Sequence, residues 1–122
     1  MARLTKLRSK RSFDRFIDQE KCVVIVHHYL CLGCQTYRKD ITESLDLFNG
    51  VGVASMHMTT NRIIDKESLN GDVEEENLFL GERYGAGDDF PATLFFSNGK
   101  MKRRVDGPLT PQELLNLIDE TF

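Results

Sequence analysis

The run Val23-Val24-Ile25-Val26 constrains this chain more than any other stretch. Four consecutive β-branched residues disfavour a helix, and an unbroken apolar run predicts a strand covered on both faces. Shortly after come Cys31-Leu32-Gly33-Cys34 and then Tyr37, Ile41, Leu45 and Phe48, apolar residues at the spacing of an amphipathic helix. The order is therefore buried strand, cysteine-bearing turn, helix. Cys34 falls on the apolar stripe and Cys31 precedes it. One sulfur is thus predicted to face inward, and the other to stand at the helix N-terminus facing solvent.

The flanking segments extend the pattern. Residues 3–8 read as an edge strand, and Ser9 or Ser12 as the cap of a short helix that buries Phe13, Phe16 and Ile17. Asn49-Gly50 ends the cysteine-bearing helix, and a strand follows over about Val51–Met58. Residues 59–77 are polar and finish in the acidic run Asp72–Glu76, as expected of a partly flexible insertion with its charge in solvent. A short helix is predicted around Leu78–Tyr84, broken by Gly85 and Gly87. Phe90-Pro91 then leads into a strand, Ala92–Ser97, whose Leu94, Phe95 and Phe96 suit a core better than a nucleic-acid stacking surface. Asn98-Gly99 pairs this strand with Lys100–Val105 in a hairpin. After Gly107-Pro108, Thr110-Pro111-Gln112-Glu113 forms a capping box with Pro at the first helical position, and the last helix buries Leu114, Leu117 and Ile118. The order β-α-β-α-β-α-β-β-α, without repeat or linker, predicts one α/β domain over residues 1–122 with a mixed sheet.

Totals exclude several classes. A formal charge of −3 gives no general reason to expect nucleic acid binding. No apolar run approaches the roughly 20 residues of a membrane span. The basic N-terminus, MARLTKLRSKRSF, lacks the apolar core of a secretory signal. An Arg-rich presequence fragment has the same composition, but solvated charges around a strand begun by Leu4 and Leu7 are the better reading. Three cysteines, two of them in CxxC, fit a reducing compartment, and a cytoplasmic location follows.

A helix N-terminus presents unpaired N–H groups and partial positive charge, and both favour a thiolate at Cys31. Thiolate is the attacking form in thiol–disulfide exchange. Cys34, one helical turn on, is placed to resolve the mixed disulfide, and Gly33 allows the turn conformational freedom. Half of a zinc site has the same spacing, with His27, His28 and His57 as further ligands. No second CxxC and no HxxxH accompanies it, so redox chemistry without a metal is the reading preferred. Cys22 reads as a small buried apolar residue.

Five features in this order resemble thioredoxin: Cys31-Leu32-Gly33-Cys34 at a strand-to-helix turn, Phe90-Pro91-Ala92-Thr93, Asn98-Gly99-Lys100, Gly107 before the last helix, and the sequence of elements. The resemblance covers the whole chain except the insertion at about 59–77. It implies a thioredoxin fold, a mixed central sheet flanked by helices on both faces. It also implies a cis peptide bond before Pro91, and protein-disulfide oxidoreductase activity with no bound cofactor. Cys31 would be the nucleophile, Cys34 the resolving thiol, and the two together the redox-active disulfide. Pro91 with Phe90, Ala92, Gly33 and Gly107 would hold an extended substrate chain, and Leu30, Leu32 and Phe90 would form an apolar rim. The implied partners are a disulfide-bearing protein and a recycling reductase such as a thioredoxin reductase, with the protein itself a monomer.

Three departures stand out. Thioredoxins usually carry Trp-Cys-Gly-Pro-Cys, where this chain has Leu30-Cys31-Leu32-Gly33-Cys34. Thioredoxins carry a buried acid six positions before the first cysteine, where this chain has Ile25. They often place a lysine on the neighbouring strand, where it has Ser55. His27 points the same way along the strand as Ile25 and is the candidate proton acceptor for Cys34 or a cation stabilising the thiolate, with a packing histidine the alternative. The missing buried acid and tryptophan keep open an interaction or chaperone module of the same fold. Glutathione use is disfavoured by Asp89-Phe90-Pro91. Lys100, Lys102, Arg103 and Arg104 read as a charged edge strand, with partner docking the alternative.

Overall fold

The strand β2 (Cys22–His27) lies at the centre of a five-stranded sheet, with all six residues buried. The computed structural model describes residues 4–7, 10–27, 32–57 and 91–122. On one edge β2 pairs in parallel with β3 (Gly52–His57), and beyond it lies β1 (Thr5–Leu7), also parallel. On the other edge it pairs antiparallel with β4 (Ala92–Ser97), and β5 (Lys100–Asp106) closes that side. The order is β1-β3-β2-β4-β5, the mixed sheet expected from the sequence.

Alternation divides the side chains of the sheet between two cores. Cys22, Val24 and Val26 pack with Ala54, Met56, Leu94 and Phe96 beneath α1 (Lys10–Ile17), which contributes Phe13 and Ile17 with Phe16 partly buried. The Phe13 and Phe96 rings meet edge to face at 5.5 Å. On the opposite face Val23, Ile25, Val53 and Phe95 pack against Tyr37 and Ile41 of α2 (Leu32–Glu43) and Leu114 and Ile118 of α3 (Pro111–Thr121). Helices thus cover both faces, as expected.

Three expectations need correction. Ser12 lies inside α1 and does not cap it; Ser9 lies outside the described residues. The α-helix stops at Glu43 instead of running to Asn49, and a 3₁₀ turn over Leu45–Leu47 follows. Successive bonds from Ser44 N–H to Ile41 O, Leu47 N–H to Ser44 O and Phe48 N–H to Leu45 O, each 3.0 Å, wind this segment more tightly. Phe48 is thereby returned to the core while Leu47 is left half exposed. A single turn of apolar spacing does not distinguish the two windings. Finally, Leu117 is only partly buried, and Leu114 and Ile118 carry the inner face of α3. The insertion at 59–77, the Leu78–Tyr84 helix, Gly85 and Gly87 lie outside the described residues.

Local chemistry accounts for the C-terminal half. Asn98 (φ 51°) and Gly99 (φ 84°) both adopt positive φ, as a two-residue primed turn requires. Register slips between Phe95 and Phe96, which face Arg103 and Met101, so that Lys102 is the extra residue of a bulge. β5 is an outer strand of the sheet, and its exposed Lys100, Lys102 and Arg103 discourage pairing with another sheet. Arg103 pairs with Glu120 at 3.2 Å and Arg104 with Asp106 at 2.9 Å.

The capping box at α3 is complete. Glu113 N–H donates to Thr110 Oγ1 at 3.1 Å, and Thr110 N–H donates to Glu113 Oε1 at 3.0 Å. That backbone bond holds the Glu113 carboxyl below its ordinary range. Its contribution to stability is therefore present at neutral pH and is lost as pH falls through the lowered value. Replacing the cap, Thr110→Ala, is expected to cost about 1 kcal/mol. The check is a lower urea midpoint with an unchanged m-value, followed by far-ultraviolet circular dichroism.

Candidate functional site

Cys34 is the third residue of α2 and is 1% exposed. It faces the core between helix and sheet, as the apolar stripe predicts. Its sulfur is in a disulfide, whereas Cys22 is a free thiol buried on the opposite face of the sheet. Cys31, Leu30, His28 and Phe90 lie outside the described residues, as do the peptide bond before Pro91 and the side chains of Leu32 and His57. α2 begins at Leu32, the residue after Cys31 in the chain, and its first turn contains no acid to offset the positive end of the helix.

Gly33 follows Leu32 in the helix and has no positive φ. The expected conformational freedom is therefore not used. A Cβ built there meets nothing within 4 Å among the described residues.

Opposite the helix, Pro91 and Ala92 are buried where β4 begins. The Pro91 carbonyl accepts a 2.7 Å hydrogen bond from Gly107 N–H, and Gly107 makes it at φ +94°, a conformation in which other residues are strained. Two of the proposed substrate-holding residues are thus joined directly through the backbone.

The sheet face under α2 carries a few buried polar residues. His27 (5% exposed), Ser55 (1%) and Thr93 (0%) are the buried polar residues among those described, and strand alternation puts all three on the face under α2. Ile25 pairs in register with Ser55 on one side and Thr93 on the other. The position that holds an acid in thioredoxins is therefore fully buried and apolar here. Ser55 does stand beside it, as the sequence comparison suggests, and its hydroxyl has no hydrogen-bond partner among the described residues. His27 ends β2 one row further along and pairs with His57 across the strands.

Sequence reasoning missed the contact that joins helix and sheet. The Tyr37 hydroxyl meets Thr93 Oγ1 at 2.6 Å, with both groups buried. Tyr37 was expected only as an apolar residue. The available signal was a tyrosine within an aliphatic stripe and a threonine within a Leu–Phe strand, since a buried hydroxyl requires a partner. Burial pushes the Tyr37 phenol up to about 12, so it remains protonated throughout the neutral range. Burial likewise pushes the Cys22 thiol up to about 11, which leaves it unreactive at neutral pH. Among the described residues no group of three or more His, Cys, Asp or Glu is arranged to hold a metal, and no helix is long and apolar enough to cross a membrane.

A central strand paired in parallel with β3 and antiparallel with β4, helices against both faces (one and two among the described residues), and a cysteine in the first turn of α2 define the thioredoxin fold. Solved structures agree. A mutant thioredoxin from Halobacterium salinarum superposes with a TM-score of 0.74 at 18% identity, over 98% of this chain and 90% of its own. Thioredoxin from Malassezia sympodialis gives 0.74 at 15% over 99% and 92%, and that from Plasmodium falciparum 0.71 at 17% over 98% and 100%. The chain is therefore thioredoxin-like in fold. No family model and no curated protein matches it.

The two raised ionisations make alkaline behaviour predictable. Folded Cys22 and Tyr37 hold their protons more tightly than the unfolded chain does, from ordinary values of 9.0 and 10.0. Their contribution is complete below pH 9 and is lost as pH rises toward 11 and then 12. Urea midpoints measured from pH 8 upward should fall beyond pH 9, and Cys22→Ala should remove the earlier part of the decline. At neutral pH iodoacetamide should label Cys22 only after unfolding, as read by peptide mass spectrometry.

Proposed function

We propose that this protein is a thiol–disulfide oxidoreductase of the thioredoxin type, a single domain over residues 1–122, that reduces or exchanges disulfides of other proteins. The observation that carries the reading is Cys34, buried in the first turn of α2 with its sulfur in a disulfide. Cys22 is free and buried, and we take Cys31, the remaining cysteine of the sequence, as the partner of Cys34. In the reducing direction the Cys31 thiolate attacks a substrate S–S bond, forms a mixed disulfide and releases one substrate thiolate. Cys34 then gives up its proton and attacks the Cys31 sulfur, which closes the Cys31–Cys34 disulfide and releases the second substrate thiol. Two electrons pass to the substrate, and a reductase of the thioredoxin reductase class restores the dithiol. The acid-free first turn of α2 supports the thiolate.

Ile25 leaves the proton of Cys34 without the usual acceptor, and His27 takes that role. It is buried at the end of β2, on the face that carries α2. Pro91 and Gly107, with Leu30, Leu32, Phe90 and Ala92, hold the substrate chain. Monomeric action in the reducing cytoplasm suits this chemistry. A module that binds partners without turnover is the second reading, favoured by the apolar Ile25 and the hydroxyl at Ser55.

Insulin reduction with a chemical or enzymatic electron donor separates the two. Turnover that Cys31→Ser abolishes is the expected result; equal rates in both proteins favour the module. His27→Ala should slow closure of the Cys31–Cys34 bond about a hundredfold, the scale of a lost general base. An unchanged rate removes His27 from the mechanism.

A further inference from the structure

Pro91 is anchored on the side of β5, where Gly107 N–H donates to its carbonyl at 2.7 Å. Two residues later the same segment is anchored on the side of the helix, where Thr93 Oγ1 meets the Tyr37 hydroxyl at 2.6 Å. Tyr37 follows Cys34 by three residues in α2, so the two share one face of the helix on adjacent turns. The buried hydroxyl pair therefore joins the turn that bears the cysteine to the strand that begins beside Pro91.

We propose that Tyr37 and Thr93 are positioning residues for protein substrates, their mutual hydrogen bond fixing the separation between the cysteine-bearing turn of α2 and the Pro91 segment. This rests on the oxidoreductase reading. A folded or extended polypeptide must engage both surfaces at once, with its disulfide at the sulfur and its backbone along Pro91. A small disulfide needs only the sulfur. Loosening the joint thus penalises the first substrate and spares the second.

Chemistry favours a hydroxyl pair here. Both side chains are essentially inaccessible to water, so either hydroxyl alone would be buried without a partner. Each neutral group satisfies the other without placing a charge beside the dithiol. The raised phenol ionisation keeps Tyr37 neutral at working pH. Ser55 lies across Ile25 from Thr93 and has no hydrogen-bond partner among the described residues, so it takes no part in this joint.

The test uses the full chain as Tyr37→Phe, Thr93→Val and the double variant, each first shown to unfold cooperatively. Insulin and the small aromatic disulfide dithiobis(nitrobenzoate) serve as substrates. Either single variant should raise KM for insulin about fivefold, the scale of one buried hydrogen bond, and the double variant should do no worse than the weaker single. Turnover of the small disulfide should stay within about twofold of the parent. A purely structural role would lower both activities in the same proportion, and that result overturns the proposal. Additive losses in the double variant overturn it as well. If Tyr37→Phe does not fold, Thr93→Val supplies the same comparison. A parent protein that turns over neither substrate defeats the oxidoreductase reading and this proposal with it. A parent active on both, with variants unchanged toward insulin, defeats this proposal alone.

Discussion

Everything in this molecule is placed relative to β2, which is hydrogen-bonded along both edges and covered on both faces. Its apolar side chains are fully buried, and burial of each is worth roughly 1.5–3 kcal/mol. A strand in that position must present apolar groups both upward and downward, and Cys22–Val26 do so. β3 and β4 then have registers fixed by pairing with it. The helix bearing Cys34 follows β2 in the chain and packs on one of its faces.

The two faces of the sheet differ in kind. Toward α1 the strands present Cys22, Val24, Val26, Ala54, Met56, Ala92, Leu94 and Phe96, and none of the buried polar side chains among the described residues lies on that face. Toward α2 they present Ser55, Thr93 and His27 among the apolar residues. Burying a charge in that layer would cost far more than burying a hydroxyl that has a partner. With Ile25 and Ser55 side by side, no buried carboxylate–ammonium pair stands there among the described residues.

Some of this could be read directly from the chain. Val23–Val26 announced the central strand, Asn98-Gly99 the hairpin, and Thr110-Pro111-Gln112-Glu113 the start of the last helix. Each rests on a local cause: χ1 crowding, tolerance of positive φ, or a side chain reaching its own backbone three residues away. The inward position of Cys34 was equally legible, because helical spacing assigns a face. The end of α2 was less so, since a 3₁₀ turn and an α-turn share their apolar spacing over so short a stretch.

Pairings between distant segments obey a different rule. Tyr37 and Thr93 stand 56 residues apart, and nothing local to either says that they touch. Their meeting depends on the packing of α2 across the sheet and on the register that sets Thr93 opposite Ile25. Gly107 and Pro91 are joined in the same way, by the pairing of β4 with β5. Short-range stereochemistry therefore wrote the strands, turns and caps into the sequence. The partners of Thr93 and Pro91 were settled by the assembly of the sheet, because hydrogen bonds between remote segments are made only once those parts of the chain have been brought together.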